Sequence, residues 1–210
     1  MQTANHFTAG VEQRIGESAR LKVTLFDRQD DHSLDSSGYN PATKTCYSSP
    51  GFQSYERDYS RGAQIVLQSR TANRLSGWIG YTLTYARQRY SHNPFYPTLD
   101  DQRHTLNVFA SYRISATVHL SGKWLFGSGF PVPSNNNAIR EGDYQRLDLR
   151  AEKDWAFTRW KLALYGEMLN LTNHNNRRYF YTSRNPDGTF NVVTGQGLPI
   201  VPTVGVAFEF

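Results

Sequence analysis

Apolar and polar residues alternate along most of the chain, and this period of two limits the fold more than any other feature of the sequence. At the carboxyl end, Val204, Val206 and Phe208 occupy alternate positions, and Phe210 continues the series. Alternate residues of a β-strand share one face of the sheet. The pattern recurs in about nine segments, and none shows convincing helical periodicity. The sequence therefore predicts an all-β, antiparallel fold.

The connections between these segments also alternate, in length. The predicted strands are HFTAGVEQRI, ARLKVTLFDRQ, GAQIVLQSR, GWIGYTLTYARQRY, RHTLNVFASYRI, VHLSGKWLFG, YQRLDLRAEKDW, WKLALYGEMLNLT and TVGVAFEF. Short turns lie near residues 16–18, 72–75, 115–117 and 156–159, and long polar segments lie at about 32–59, 91–102, 131–143 and 173–202. Short periplasmic turns and long outer loops are typical of outer-membrane β-barrels.

Composition is compatible with such a barrel. Of 210 residues, 38% are hydrophobic, and the aromatic content is 14%, from 13 Tyr, 12 Phe and 4 Trp. No run of about 18 apolar residues occurs, which excludes transmembrane helices but not transmembrane strands. The net charge of +5 comes without a basic helix or a nucleic-acid motif, so nucleic acid is not an expected partner.

The tryptophans give the predicted barrel an orientation. If the last strand follows a long outer loop, Phe210 lies at the periplasmic rim. Trp78, Trp155 and Trp160 are then close to the same rim and predict an aromatic girdle at the water–lipid boundary. The alternative is that these tryptophans anchor the core of a β-sandwich.

About nine strands are an odd number, and bacterial single-chain barrels have an even one. An open sheet edge would leave backbone groups unpaired in hydrocarbon. The first residues, MQTANHFTAGVEQRIG, show no basic n-region followed by an apolar h-region and so no readable secretion signal. We therefore expect residues 1–210 to be the carboxyl-terminal part of a larger barrel.

Several segments taken together resemble the carboxyl-terminal barrel strands of TonB-dependent outer-membrane receptors. They are DDQRHTLNVFASYRI, GSGFPVP, YQRLDLRAEKDW, LYGEMLNLTNHNN and the ending PTVGVAFEF. The resemblance implies a barrel of about 22 strands in a Gram-negative outer membrane, with the plug domain and signal peptide outside residues 1–210. It further implies uptake of a large scarce nutrient, such as an iron-siderophore, vitamin, saccharide or peptide, driven by the TonB complex through the plug.

The resemblance also implies an assembly signal in the last strand, read by the barrel-assembly machinery. Its residues here are Gly205, Val206, Phe208 and Phe210. Membrane lipid and lipopolysaccharide would be the other partners of such a wall. Charged residues of the polar face would pair across the wall or contact the plug; they are Lys22, Arg70, Lys123, Asp148, Arg150, Glu152 and Glu167.

One outer loop is a candidate ligand surface, because guanidinium groups and aromatic faces suit anionic or aromatic ligands and the phosphates of lipopolysaccharide. Its candidate residues are Arg177, Arg178, Tyr179, Tyr181 and Arg184. A solvated loop without a ligand is the alternative reading. No cofactor motif is found, and the six histidines show no metal-ligand spacing.

Two other functional classes stay open at this stage. Asp100, Asp101 and His104 lie close together and could activate water in an outer-membrane hydrolase. The structural reading is that Asp101 and Arg103 pair while His104 begins a strand, so we predict no catalytic residue. A soluble or surface β-sandwich that binds carbohydrate is the other alternative.

Overall fold

The computed structural model describes residues 3–33, 38–40, 45–47, 56–70, 74–90, 94–132, 139–184 and 190–210. The strands found there are Thr3–Ile15 (β1), Ala19–Ser33 (β2), Gly38–Asn40 (β3), Thr45–Tyr47 (β4), Glu56–Ser69 (β5), Leu75–Tyr90 (β6), Tyr96–Pro97 (β7), His104–Arg113 (β8), Val118–Gly127 (β9), Tyr144–Ala156 (β10), Lys161–Leu169 (β11), Arg177–Arg184 (β12), Phe190–Gln196 (β13) and Val201–Glu209 (β14). No helix long and apolar enough to cross a membrane occurs in these ranges.

One antiparallel sheet organises the chain. Nine long strands follow the order β1-β2-β5-β6-β8-β9-β10-β11-β14, and the short β7 pairs with β6. These nine strands are the nine predicted from the sequence, which confirms the all-β, antiparallel prediction. Two small hairpins, β3–β4 and β12–β13, lie within long connections. In the described ranges β1 pairs only with β2, and β14 only with β11, so the sheet has two edges.

The strand register separates an apolar face from a polar face. Val23 lies opposite Ile65, Ile65 opposite Tyr81, and equivalent pairs continue across the sheet. The apolar face carries Leu21, Val23, Leu25, Ile65, Leu67, Ile79, Tyr81, Leu106, Val108, Leu120, Trp124, Leu147, Leu149, Leu162, Leu164, Val204, Val206 and Phe208. The opposite face carries the predicted polar-face charges Lys22, Lys123, Asp148, Arg150, Glu152 and Glu167.

The sheet has no covered hydrophobic core. None of the hydrophobic side chains in the described residues is buried, and large ones such as Val11, Leu25 and Val204 are more than half exposed. A β-sandwich buries one face of each of its two sheets, so this arrangement does not fit the sandwich alternative. An apolar face turned outward is the arrangement of a transmembrane barrel wall.

Strand length differs across the sheet. β1, β2, β5 and β6 have 13 to 16 residues, whereas about 9 to 11 residues suffice to cross the hydrocarbon. Two ion pairs join β2 and β5 near the connection between them: Arg61 is 3.3 Å from Asp27, and Arg57 is 3.1 Å from Asp31. The connection predicted at 32–59 is therefore too long at both ends. β2 continues to Ser33 and β5 begins at Glu56, because the charge pairs stabilise the ends of both strands.

The two ends of the strands form two rims. At the short-connection rim, neighbouring turns are joined by backbone hydrogen bonds from Arg70 to Ser18, from Arg113 to Arg74 and from Asp154 to Thr117, at 2.7 to 2.8 Å. Gly16 adopts a φ of 61° in the β1–β2 turn, a conformation in which glycine has no steric cost. The opposite end of the strands is called the long-connection rim below.

Candidate assembly strand and outer-rim site

The last strand presents three of the four predicted assembly residues, Val206, Phe208 and Phe210, on the apolar face, and Gly205 lies on the other. Val206 and Phe208 are more than half exposed there, and Phe210 is almost fully exposed. Glu209 lies on the other face, where its carboxylate accepts a hydrogen bond from Lys161 at 2.9 Å. The strand therefore offers an uninterrupted apolar row to its surroundings.

Gly205 has a different part in the same strand. It lies opposite Tyr165 of β11, and a Cβ atom added at this position would overlap the tyrosine ring. On β10, the guanidinium of Arg150 lies 3.8 Å from the centre of the Tyr165 ring and forms an ion pair with Glu152. The glycine thus makes room for a stack that joins the last strand to β11 and β10.

Aromatic rings gather around this strand at the short-connection rim. Trp160 stacks on Phe157 with centroids 3.9 Å apart, and its ring lies 6.3 Å from that of Phe208. Trp155 is 4.9 Å from the ammonium group of Lys153. The girdle prediction is wrong for Trp78, because it lies opposite Gln68 and Phe109 on the polar face; the register of β6 gives the apolar face to its neighbour Ile79.

At the long-connection rim, Asp101 is completely buried in a polar cluster. Its carboxylate accepts hydrogen bonds from the backbone of Ala86 at 3.0 Å and from Arg103 at 3.1 Å. Arg140 donates to the same carboxylate and to the carbonyl oxygens of Asp101, at 2.6 Å, and Gly129, at 3.0 Å. One carboxylate therefore holds the ends of β6 and β8 and the connection between β9 and β10 together.

The predicted pairing of Asp101 with Arg103, with His104 beginning a strand, is found in the structure. The ring of His104 instead binds the hydroxyl of Tyr81 at 2.8 Å, on the apolar face. The Asp101 carboxylate is fully buried and occupied by two guanidinium groups. The structure thus does not form the catalytic arrangement of the hydrolase alternative.

Asn170 is the centre of a second buried polar cluster at this rim. It is fully buried and has a φ of 50°. Its side chain donates to the carbonyl groups of His174 at 3.0 Å and Leu198 at 2.8 Å, and accepts from the backbone of His174 at 3.2 Å. Its own backbone N–H binds Asp148 at 2.9 Å. The cluster fixes both ends of the connection that carries β12 and β13.

Asn176 completes the base of that connection. Its amide exchanges two hydrogen bonds with the backbone of Gln145, both 2.8 Å long, and its carbonyl accepts from Gly197 at 2.6 Å. The sequence motif NLTNHNN singles out these asparagines. Their partners Leu198, which binds the side chain of Asn170, and Gly197, which binds the backbone carbonyl of Asn176, lie too far along the chain to be identified from the motif.

The predicted ligand residues lie in or beside β12. Arg177 is exposed, and its guanidinium is 3.7 Å from the carboxylate of Glu141. Both line a cavity of about 380 Å³ together with Gly142, Asp143, Gln145, His174 and Asn175. The side chains of Arg178, Tyr179, Tyr181 and Arg184 are outside the described residues, so their proposed ligand role stays a prediction.

A second cavity opens on the polar face near the same rim. Its volume is about 260 Å³, and it is lined by Gln102, Thr105, Asn107, Leu125, Phe126, Phe130 and Tyr144. Amides, hydroxyl groups and aromatic rings are the lining of sites for polar organic ligands. No group of three or more His, Cys, Asp or Glu side chains suited to a metal ion occurs in the part of the chain that the structure describes.

This sheet, with its two faces and two rims, has the architecture of part of an outer-membrane β-barrel wall. No protein-family model matches the sequence, and no curated protein matches it. Among solved structures, the ferric-catecholate import receptor Fiu of E. coli K12 has a TM-score of 0.62 at 15% identity, and BauA, the ferric preacinetobactin receptor of Acinetobacter baumannii, has 0.68 at 15%.

The ferripyoverdine receptor of the outer membrane of Pseudomonas aeruginosa is similar too, with a TM-score of 0.63 at 14% identity. Each likeness covers 99% of this chain but only 26 to 29% of the neighbour. The chain therefore spans less than a third of the length of each of these three receptors. The likeness confirms the predicted fold class and agrees with the predicted outer-membrane localisation.

Proposed function

We propose that this chain forms the carboxyl-terminal part of the barrel wall of a TonB-dependent outer-membrane receptor that imports a large scarce nutrient. The observation that carries the proposal is the likeness of the sheet, over 99% of this chain, to receptors named for a ferric catecholate, for ferric preacinetobactin and for ferripyoverdine. A ferric siderophore is accordingly the substrate class we favour. Transport rather than catalysis is the activity.

The two sheet edges support a larger assembly. The edges of β1 and β14 lack a second neighbour in the described ranges, and hydrocarbon strongly disfavours unpaired backbone groups. Further strands of the same barrel would pair with both edges. A plug domain would contact the polar face and connect the barrel to the TonB complex, while lipid would cover the apolar face.

The long-connection rim supports substrate capture. Its buried clusters at Asp101 and Asn170 hold the bases of the long connections in fixed positions, and the cavity beside Asn107 and Tyr144 opens between them on the polar face. Its volume of about 260 Å³ is below the range of about 300 to 1,000 Å³ for complete small-molecule sites. It would therefore contact one part of a larger substrate.

The first experiment reads the DNA upstream of Met1. We expect an open reading frame that encodes a signal peptide, a plug and the missing strands. Cells expressing that gene should then accumulate radiolabelled ferric siderophore under iron limitation, and a strain without TonB should not. Uptake of cobalamin or a saccharide instead would contradict the substrate class, and a stop codon with no receptor sequence upstream would contradict the proposed function.

A further inference from the structure

The cavity on the polar face near the long-connection rim is built on one row of residues from three strands. In the register of β8, β9 and β10, Gly127 lies between Thr105 and Tyr144. The amide of Gln102 lies over Gly127, where a Cβ atom would overlap it. Asn107 shares the polar face with Thr105, two positions away on β8. The absence of a side chain at position 127 therefore leaves a floor surrounded by amide and hydroxyl groups.

We call this space the amide cavity. Its volume is about 260 Å³, and none of the described residues that line it is charged; they are Gln102, Thr105, Asn107, Leu125, Phe126, Phe130 and Tyr144. Amide side chains both donate and accept hydrogen bonds, and so do hydroxyl groups. Such a lining can pair with the donors and acceptors of an uncharged polar group, but it provides no counter-ion for an anion.

The arginines near the amide cavity are already paired with carboxylates. Three of them occur in the described parts of the segments that form the cavity. Arg146, on the polar face of β10, binds Asp148 at 2.8 Å, and Arg103 and Arg140 share the buried carboxylate of Asp101. These pairs hold the walls of the cavity in place, and their positive charge is neutralised within the wall.

The neighbouring cavity at this rim adds no excess of positive charge either. Its charged lining includes Glu141, Asp143 and Arg177, and Arg177 lies 3.7 Å from the carboxylate of Glu141. Asp100, at the entry to β8, is a further exposed carboxylate. A ligand with several negative charges would thus meet carboxylates here without a compensating group of cations among the described residues.

We propose that the amide cavity receives an uncharged hydrogen-bonding group of the substrate, and that the imported ferric siderophore is a hydroxamate rather than a catecholate. This inference rests on the proposed function, which makes the substrate a ferric siderophore. Three hydroxamates carry one negative charge each and form a neutral complex with ferric iron. Three catecholates carry two each, so their ferric complex keeps three negative charges. Burying such charges without partners costs far more than burying a neutral group that is hydrogen-bonded.

The test uses the complete receptor gene in a Gram-negative host that has a TonB complex but lacks other siderophore receptors. Iron-limited cells receive radiolabelled iron as the neutral complex of a cyclic trihydroxamate or as the complex of a triscatecholate, at equal concentration. We expect the neutral complex to be taken up about tenfold faster, a difference equivalent to about 1.4 kcal/mol. Equal rates, or faster uptake of the triscatecholate, would overturn the inference.

Charge variants of Asn107 connect this preference to the amide cavity. Asn107→Lys adds a cation there and should lower the ratio of hydroxamate to catecholate uptake by about tenfold, whereas the nearly isosteric Asn107→Asp should raise it. The matched control Ser111→Lys adds the same cation on the same face of β8 but outside the cavity. It should change the ratio by less than about twofold, because charge interactions weaken with distance and salt.

Both rates come from the same strain, so the ratio does not depend on the amount of folded receptor. An equal change in Asn107→Lys and Ser111→Lys would overturn the assignment to the amide cavity, and so would an Asn107→Asp variant with an unchanged ratio. Uptake of both complexes without preference contradicts only the inferred chemistry. Uptake of neither complex would contradict the proposed function, and the inference with it.

Discussion

The short-connection rim and the long-connection rim are stabilised in different ways. At the first, tight turns are joined by backbone hydrogen bonds, and exposed rings such as Trp160 and Phe208 lie against one another. At the second, two completely buried polar side chains, Asp101 and Asn170, bind several parts of the chain at once. One rim depends on many small contacts, and the other depends on a few residues.

This difference follows from the length of chain that each rim must order. A short turn has little conformational entropy to lose, whereas a long connection loses much more. A buried carboxylate or amide can hold several distant backbone groups, and it is costly to leave any of them unpaired. Substitutions at the two rims should therefore have very different effects.

The largest effect is expected from Asp101→Ala. It leaves the half-buried Arg103 and Arg140 without their shared carboxylate and the backbone N–H of Ala86 without its acceptor, and it should lower the free energy of unfolding by about 2 to 4 kcal/mol. Urea denaturation of the membrane-inserted protein measures the change. Asp100→Ala is the matched control, because Asp100 is exposed, and it should have little effect. Equal stability of the two variants would mean that the rims do not differ in this way.

Asn170→Ala should have the second largest effect, about 2 to 3 kcal/mol, because three side-chain hydrogen bonds are lost at about 1 kcal/mol each. Asn170→Gly loses the same bonds but adopts the φ of 50° without strain. The glycine variant should therefore be the less destabilised of the two in the same denaturation experiment. The reverse order would show that backbone conformation contributes nothing here.

Gly205→Ala should destabilise the short-connection side by about 1 to 2 kcal/mol, because the new methyl group displaces the Tyr165 ring. Gly166 is the control, since a Cβ atom there meets nothing within 4 Å. Heat-dependent electrophoretic mobility reports both variants. If G205A and G166A unfold at the same temperature, the packing of the Tyr165 ring does not require a glycine at position 205.

Lys161→Gln should have no measurable effect. Its ion pair with Glu209 is 2.9 Å long, but both side chains are more than half exposed, and water screens such pairs. The same thermal assay tests this expectation. A clear loss of stability would show that the short-connection rim also contains a specific polar anchor, and the contrast between the rims would have to be withdrawn.

Much of the fold could be predicted from the sequence, because alternation is a local property. All nine long strands, the antiparallel arrangement and the polar face through Lys123, Asp148 and Glu167 follow from it. The position of Trp78 could not be inferred from its closeness to a turn, since the face of a strand is decided by its neighbours in register.

Only part of the contacts in the buried polar clusters could be predicted from the sequence. The pairing of Asp101 with Arg103 is local and was predicted, whereas Arg140 reaches the same carboxylate from 39 positions away. The stack on Gly205 likewise needs Tyr165 and Arg150 from two other strands. Contacts of this kind depend on the register of separate strands, which a pattern within one strand does not contain.

The unequal connections also divide the molecule into parts that tolerate inserted sequence and parts that do not. An epitope placed between Ser33 and Glu56 would lengthen a connection that leaves the strands β2 and β5 intact, whereas one placed at Gly16 would disturb a positive-φ turn. Insertions tolerated at only one rim would appear on only one side of the membrane. The fold can therefore present inserted sequence at one rim only, the one with the long connections.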